Sequence, residues 1–131
     1  MAKDEEKLKE LYSKAAELDD DLPGDLLKKL TLYGEILSIT GKLHAASLSD
    51  WKMAEAARKE TIAKFFMSNQ AGTAKERDMK AELAVSKHRK NEAQAEASCM
   101  RWKNAYSSTI EIINIIKIQL RDMKDLRNGG V

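Results

Sequence analysis

One proline, six glycines, one cysteine and 5% aromatic residues are all that this 131-residue chain contains of those types. Each scarcity excludes something. A lone Pro and few Gly rule out collagen-like and low-complexity chains. A single thiol, Cys99, cannot close an internal disulfide and suits a reducing compartment, so a cytoplasmic location is expected. No uncharged apolar stretch approaches the roughly 18 residues of a membrane span, because Glu111 interrupts the richest region. The charged start from Lys3 onward lacks the apolar core of a secretory signal.

Charge is what the chain has in quantity: 34% of residues are Asp, Glu, Lys or Arg, and the net charge is +2. The distribution says more than the total. Residues 1–26 hold 4 basic and 9 acidic side chains, whereas residues 27–131 hold 19 basic and 12 acidic. An acidic head on a basic body suits a polyanionic partner, or self-association that pairs the two ends.

The apolar periodicity predicts an all-α fold with a single domain over 1–131: an acidic N-terminal helix within 1–22 and two hairpin helices over 25–69 and 73–127. Leu8, Leu11, Tyr12, Ala15 and Leu18 form one stripe at spacings of three and four over 4–18. The run Asp19-Asp20-Asp21 and the Leu22-Pro23-Gly24 break end it, with Asp25 the expected N-cap of the next helix. The second helix starts with a heptad-like seam at Leu26, Leu30, Tyr33 and Leu37. The seam continues through more polar positions at Thr40, His44, Ser47, Trp51, Ala54, Arg58, Thr61 and Phe65. Gly34 and Gly41 lie seven apart on one face, and each costs about 1 kcal/mol against Ala. A close helix contact explains that cost best, with a bend as the other possibility.

Asn69-Gln70-Ala71-Gly72 forms the expected turn. Thr73 and Glu76 then have capping-box spacing, the Thr hydroxyl accepting from the amide of residue 76. The third helix has no Pro or Gly until Asn128-Gly129-Gly130, a length of roughly 80 Å. Its seam reads Ala81, Val85, His88, Glu92, Ala95, Cys99, Trp102, Tyr106, Thr109, Ile113, Ile116, Leu120 and Met123. A short turn makes the two long helices antiparallel neighbours. Folding symmetrically about that turn places Trp51 near Asn91, Leu37 near Ala105 and Leu30 near Ile112.

This arithmetic divides the hairpin into a Leu/Ile-rich base (26–39 with 105–118) and an Ala/Lys/Arg/Glu-rich arm (52–68 with 74–98). Ile110, Ile112, Ile113, Ile115, Ile116 and Ile118 cover nearly the whole circumference of their helix. Full burial of each is worth roughly 1.5–3 kcal/mol, more than one hairpin and the first helix can provide. Other copies of the chain are therefore expected to cover Leu30, Leu37, Ile110, Ile112, Ile113, Ile116 and Leu120, giving a ring-like homo-oligomer.

Catalytic motifs are missing. Gly34 and Gly41-Lys42 are misspaced for a phosphate loop, with Leu43 where Ser or Thr should stand. His44, His88 and Cys99 lack zinc-ligand spacing. The chain therefore reads as a non-enzyme without a cofactor. The arm is its binding element: Lys52, Arg58 and Lys59 fall at the height of Lys87, Arg89 and Lys90, a cationic belt to which a polyphosphate strand could bind through counterion release. Among the aromatics that could stack on bases, Trp102 and Tyr106 sit on the seam and read as core, while Phe66 is the better candidate for exposure.

The order of these features resembles the UvsY family, the recombination mediators of T-even-like phages. The resemblance lies in an acidic Leu-patterned helix, then Leu32-Tyr33-Gly34-Glu35-Ile36-Leu37, a Lys/Arg/Ala-rich stretch over 52–64, and Phe65-Phe66-Met67-Ser68. After the turn it continues in Arg101-Trp102-Lys103 and the aliphatic run ending Leu120-Arg121-Asp122-Met123. It spans about residues 5–126. The family's short basic motif before its paired aromatics has approximate counterparts in Ala57-Arg58-Lys59 and Ala63-Lys64. The resemblance implies a ring-like homo-oligomer that binds single-stranded DNA and helps load a RecA-like recombinase onto strands coated by a single-strand-binding protein, in the host cytoplasm. The expected phosphate contacts are Arg58, Lys59, Lys64, Lys87, Arg89 and Lys90. The alternative is a coiled-coil scaffold or adaptor, for virion assembly or as a holdase-like chaperone, with no DNA role.

Overall fold

Three helices carry the described residues: α1 (Ala2–Ala16), α2 (Pro23–Ser68) and α3 (Ala74–Gly129). The computed structural model describes residues 2–68 and 71–129, and those residues include no strand. Asn69, Gln70 and Gly130 of the expected turn and stop lie outside the described residues. No helix among the described residues is long and apolar enough to cross a membrane.

The junction between α1 and α2 is built by aspartates. The Asp19 amide donates to Asp25 Oδ2 at 3.0 Å, the Asp21 amide donates to Asp19 Oδ1 at 2.9 Å, and Asp20 pairs with Lys29 at 2.7 Å. The acidic run is thus structural as well as electrostatic: short carboxylates fold back on nearby amides and tighten the chain. Asp25 is not the N-cap that its sequence position suggests. The Leu26 amide donates to the Leu22 carbonyl at 3.0 Å, so α2 begins at Pro23. Proline fits a first helical position because its missing N–H would have no helical partner there.

At the other junction Gly72 adopts a left-handed φ of 92°, the backbone region that L side chains avoid. A Cβ there would also meet Glu76 Oε2 at 2.7 Å. The Glu76 amide donates to Thr73 Oγ1 at 3.2 Å, the Thr half of the expected capping box.

The chain divides into two compact units. Unit 1 comprises 1–43 with 102–131, and unit 2 comprises 44–101. In unit 1, α1 lays Leu8 and Leu11 against Ile36, Leu43 and Trp102, with Leu32, Tyr33, Ile39 and Ala105 packed around them. Lys42 pairs with Asp4 at 3.3 Å beside this core, and Tyr12 meets Tyr33 edge-on at 6.4 Å between centroids. Gly41 is the close approach that its cost predicts, since a Cβ there would stand 3.2 Å from the Tyr106 ring. Gly34 is not: nothing lies within 4 Å of its would-be Cβ.

Among the described residues, unit 2 buries only small side chains: Ser47, Ala81, Val85 and Cys99. Polar bonds between α2 and α3 supplement them. Arg58 Nε donates to Glu92, and Thr61 Oγ1 lies 3.4 Å from His88 Nε2. Polar seam residues are tolerated in both units because their hydroxyls bond to carbonyls of the preceding turn. Thr40 donates to Ile36 O, Ser47 to His44 O, Thr61 to Ala57 O and Thr109 to Ala105 O, at 2.7–2.9 Å.

The seams hold, but the register differs. Every named seam position of α2 and α3 is buried or half-buried. The observed partners, Gly41 with Tyr106 in unit 1 and Arg58 with Glu92 in unit 2, stand five and eight residues away from symmetric folding, roughly one and a half to two helical turns. A seam repeating every seven residues presents the same face after such a slip, so burial periodicity alone does not choose between the two registers.

Candidate nucleic-acid interface

Unit 2 carries 11 Lys/Arg against 8 Asp/Glu, whereas unit 1 carries 12 against 13. The basic excess of the chain therefore resides in unit 2, together with all six residues expected to contact phosphate. Their surroundings differ.

Arg58 is bonded to Glu92, and the two side chains are only 18% and 17% exposed. The guanidinium projects across to α3, where the carboxylate stabilises its charge; it is a strut between helices and is not displayed for a ligand. Arg89 forms a two-pronged bond to Glu82, with Nε to Oε2 and Nη2 to Oε1 both at 2.8 Å. A planar guanidinium and a carboxylate match in this way, and the pair competes directly with phosphate for the same donors.

Lys59 lies 3.5 Å from Glu55, and Lys64 lies 2.9 Å from Glu60. The hydrogen bond and charge of Lys64 hold the Glu60 carboxyl below its ordinary pKa, and Glu60 holds the Lys64 ammonium above its own. Both lysines are well exposed, and such surface pairs exchange readily for solvent or another anion.

Lys87 and Lys90 are exposed and have no carboxylate at ion-pair distance among the described residues. Lys80 belongs with them: it is exposed, likewise unpaired, and precedes Lys87 by two turns on the outward side of α3. It was no part of the expected phosphate set. A sequence signal does mark the best members. Neither Lys87 nor Lys90 has an acidic residue three or four positions away, whereas Lys59 and Lys64 each follow a Glu by four. Lys80 follows Glu76 by four, but the Glu76 carboxylate turns back towards Gly72.

The aromatic candidates separate as well. Trp102 is a core residue and Tyr106 packs on Gly41, so neither is displayed for stacking. Phe66 is 37% exposed and meets Phe65 edge-on at 6.1 Å. Trp51 is half-buried with Lys52 Nζ 4.7 Å from its ring centroid.

The expected oligomer face also needs revision. Ile116 is 3% exposed in the single chain and belongs to the interior of unit 1, so it has no surface to offer another copy. Leu30, Leu37, Ile112, Ile113 and Leu120 are half-buried. The exposed isoleucines are Ile110, Ile115 and Ile118. The helical period explains this: Ile116 follows Trp102 by fourteen residues and Thr109 by seven, returning to the same inward side, while Ile115 and Ile118 fall away from it.

Among the described residues no group of three or more His, Cys, Asp or Glu is arranged to hold a metal ion. No family model, curated protein or solved structure matches the chain.

Proposed function

We propose that this chain is a recombination mediator of the UvsY kind. It binds single-stranded DNA as a homo-oligomer and helps load a RecA-like recombinase onto strands coated by single-strand-binding protein. The observation that carries the reading is the line of exposed, unpaired lysines on α3, Lys80, Lys87 and Lys90, in the unit that holds the basic excess. Lysine ammonium groups act as point charges on phosphate, and each neutralised phosphate of a single strand gives a salt slope of about −0.7. Three such contacts are weak alone. Repeated in a ring-like assembly, they bind one strand at several places at once. The exposed Ile110, Ile115 and Ile118 of unit 1 provide apolar surface for that assembly.

The test is a salt titration with a fluorescent single-stranded oligonucleotide. Binding is expected at low salt, falling steeply as salt rises. The Lys80→Glu, Lys87→Glu, Lys90→Glu triple variant should lose at least about tenfold in affinity, since like charges opposed at an interface cost several kcal/mol. No binding at low salt by the unaltered protein would remove the proposal.

A second reading has its own support. Arg58, Lys59, Lys64 and Arg89 are all engaged by carboxylates of the same chain. A coiled-coil scaffold or holdase-like chaperone, whose charges serve folding and solubility, accounts for that pairing without DNA. It predicts no salt-dependent oligonucleotide binding and, for a holdase, affinity for unfolded protein.

A further inference from the structure

Unit 1 carries a groove of about 450 Å³ between the start of α2 and the end of α3, lined by Pro23, Leu27, Leu120, Met123, Lys124 and Arg127. Four of its lining residues are apolar, two are cationic and none is acidic. Lys124 and Arg127 are exposed and have no carboxylate at ion-pair distance among the described residues. The acidic residues nearest in sequence do not neutralise them. At 3.6 residues per turn, Asp122 and Asp125 fall on the opposite side of α3.

We propose that this groove is a docking site for an acidic peptide segment of a partner protein, one whose bulky apolar side chains enter between Leu27, Leu120 and Met123 while its carboxylates meet Lys124 and Arg127. Charge complementarity selects the occupant. Burying the apolar floor under a neutral or basic segment would strand two cations at its edge, whereas an acidic segment satisfies both sets of groups together.

The shape argues against a free acyl chain. Leu27 is 56% exposed, so the groove is open along one wall and would leave much of a lipid tail in water, whereas ligand pockets bury most of their small molecules. A peptide laid across an open groove brings its own backbone and side chains as the missing wall. Two carboxylates of this chain's own acidic run are already engaged, Asp20 by Lys29 and Asp19 by the Asp21 amide. This proposal stands independently of DNA binding.

The probe is a fluorescein-labelled peptide alternating pairs of acidic residues with Leu and Phe, titrated with the full chain at low salt and followed by anisotropy. Saturable binding that weakens with salt is expected. Lys124→Glu with Arg127→Glu should weaken it by at least about tenfold. Leu27→Asp should also weaken it, by removing the apolar wall. Lys117→Glu, on the same helix and exposed but outside the groove, should change affinity by less than about twofold and controls for general electrostatics. Far-UV circular dichroism checks that the variants, all at exposed positions, retain their helix. The proposal is overturned if the unaltered protein shows no saturable binding. It is equally overturned if the groove variants bind as well as the parent, or if a peptide with Asn and Gln in place of Asp and Glu binds equally. A peptide affinity that disappears as the protein sediments as a self-associated species would assign the groove to a second copy and overturn it too.

Discussion

Units 1 and 2 are made from the same two long helices and are held together by different physics. Unit 1 packs leucines, isoleucines and a tryptophan from three helices into one cluster. Unit 2 has two helices, buries nothing larger than Val85 among its described residues, and joins the helices with Arg58–Glu92 and Thr61–His88. Apolar burial rewards area removed from water, at roughly 25 cal/mol per Å², so unit 1 holds most of the stability that side-chain packing provides. Unit 2 relies on polar contacts whose net value is small because water offers the same groups similar bonds. The difference suits a division of work. In the proposed mediator, the unit with little core would offer helix surface to ligands, and the unit with the larger core would provide rigidity and apolar surface for assembly.

Core truncation gives the largest expected effect. Ile36→Ala removes a fully buried side chain from the centre of unit 1 and should cost about 2–5 kcal/mol. Val85→Ala removes two methyl groups from unit 2 and should cost about 1.5 kcal/mol. Urea unfolding of both variants tests this, with Trp102 and Trp51 as fluorescent reporters of units 1 and 2 respectively. Native-state hydrogen exchange should show unit 2 amides opening at lower free energy than those of unit 1. Equal costs for the two substitutions, or uniform exchange, would break the comparison.

The two glycines sharpen it within unit 1. Gly34→Ala places a methyl group in open space on a helix and should stabilise by about 1 kcal/mol. Gly41→Ala gains the same helix propensity but drives its Cβ to 3.2 Å from the Tyr106 ring, so the gain should be cancelled or reversed. Thermal unfolding of the two single variants checks the sign of the difference. A matching gain at both positions would mean that Tyr106 yields without cost and that the packing of unit 1 is looser than its core implies.

These contrasts also show how far the sequence could be read. Helix existence and seams were legible because apolar residues recur every three or four positions, and the polar seam members Thr40, Ser47 and Thr109 follow the same period. The start of α2 was misplaced by two residues because Asp25 has the chemistry of an N-cap, and its use by the Asp19 amide depends on how the chain turns back. The slip of five to eight residues leaves little mark on the pattern, since a seven-residue repeat is nearly blind to shifts close to its own length. That blindness spread to the site. Lys59 and Lys64 have local carboxylate partners that spacing reveals, and Lys87 and Lys90 have none three or four positions away. Arg58 has its partner 34 residues away, so only the true register shows that it is engaged. Ile116 joins the expected intermolecular face because the isoleucines span nearly the whole circumference of their helix, although its helical phase with Trp102 and Thr109 points inward.

The smallest expected effect concerns that same arginine and separates structure from ligand binding most directly. Arg58→Met alone leaves the Glu92 carboxylate in a mostly enclosed position without its partner and should lower the melting temperature. Arg58→Met with Glu92→Leu replaces both charges by side chains of similar bulk, and the melting temperature should return close to the parent value, because an enclosed ion pair often contributes no more than the apolar packing that can replace it. If Arg58 is a strut, this double variant should also retain its affinity for a single-stranded oligonucleotide to within about twofold, while loss of Lys80, Lys87 and Lys90 abolishes most of it. The opposite pattern, with affinity lost in the stable double variant and kept in the triple, would move the interface from α3 to α2. It would mean that Glu92 releases Arg58 when DNA binds, so that the contact holding unit 2 together is exchanged for one that holds a strand.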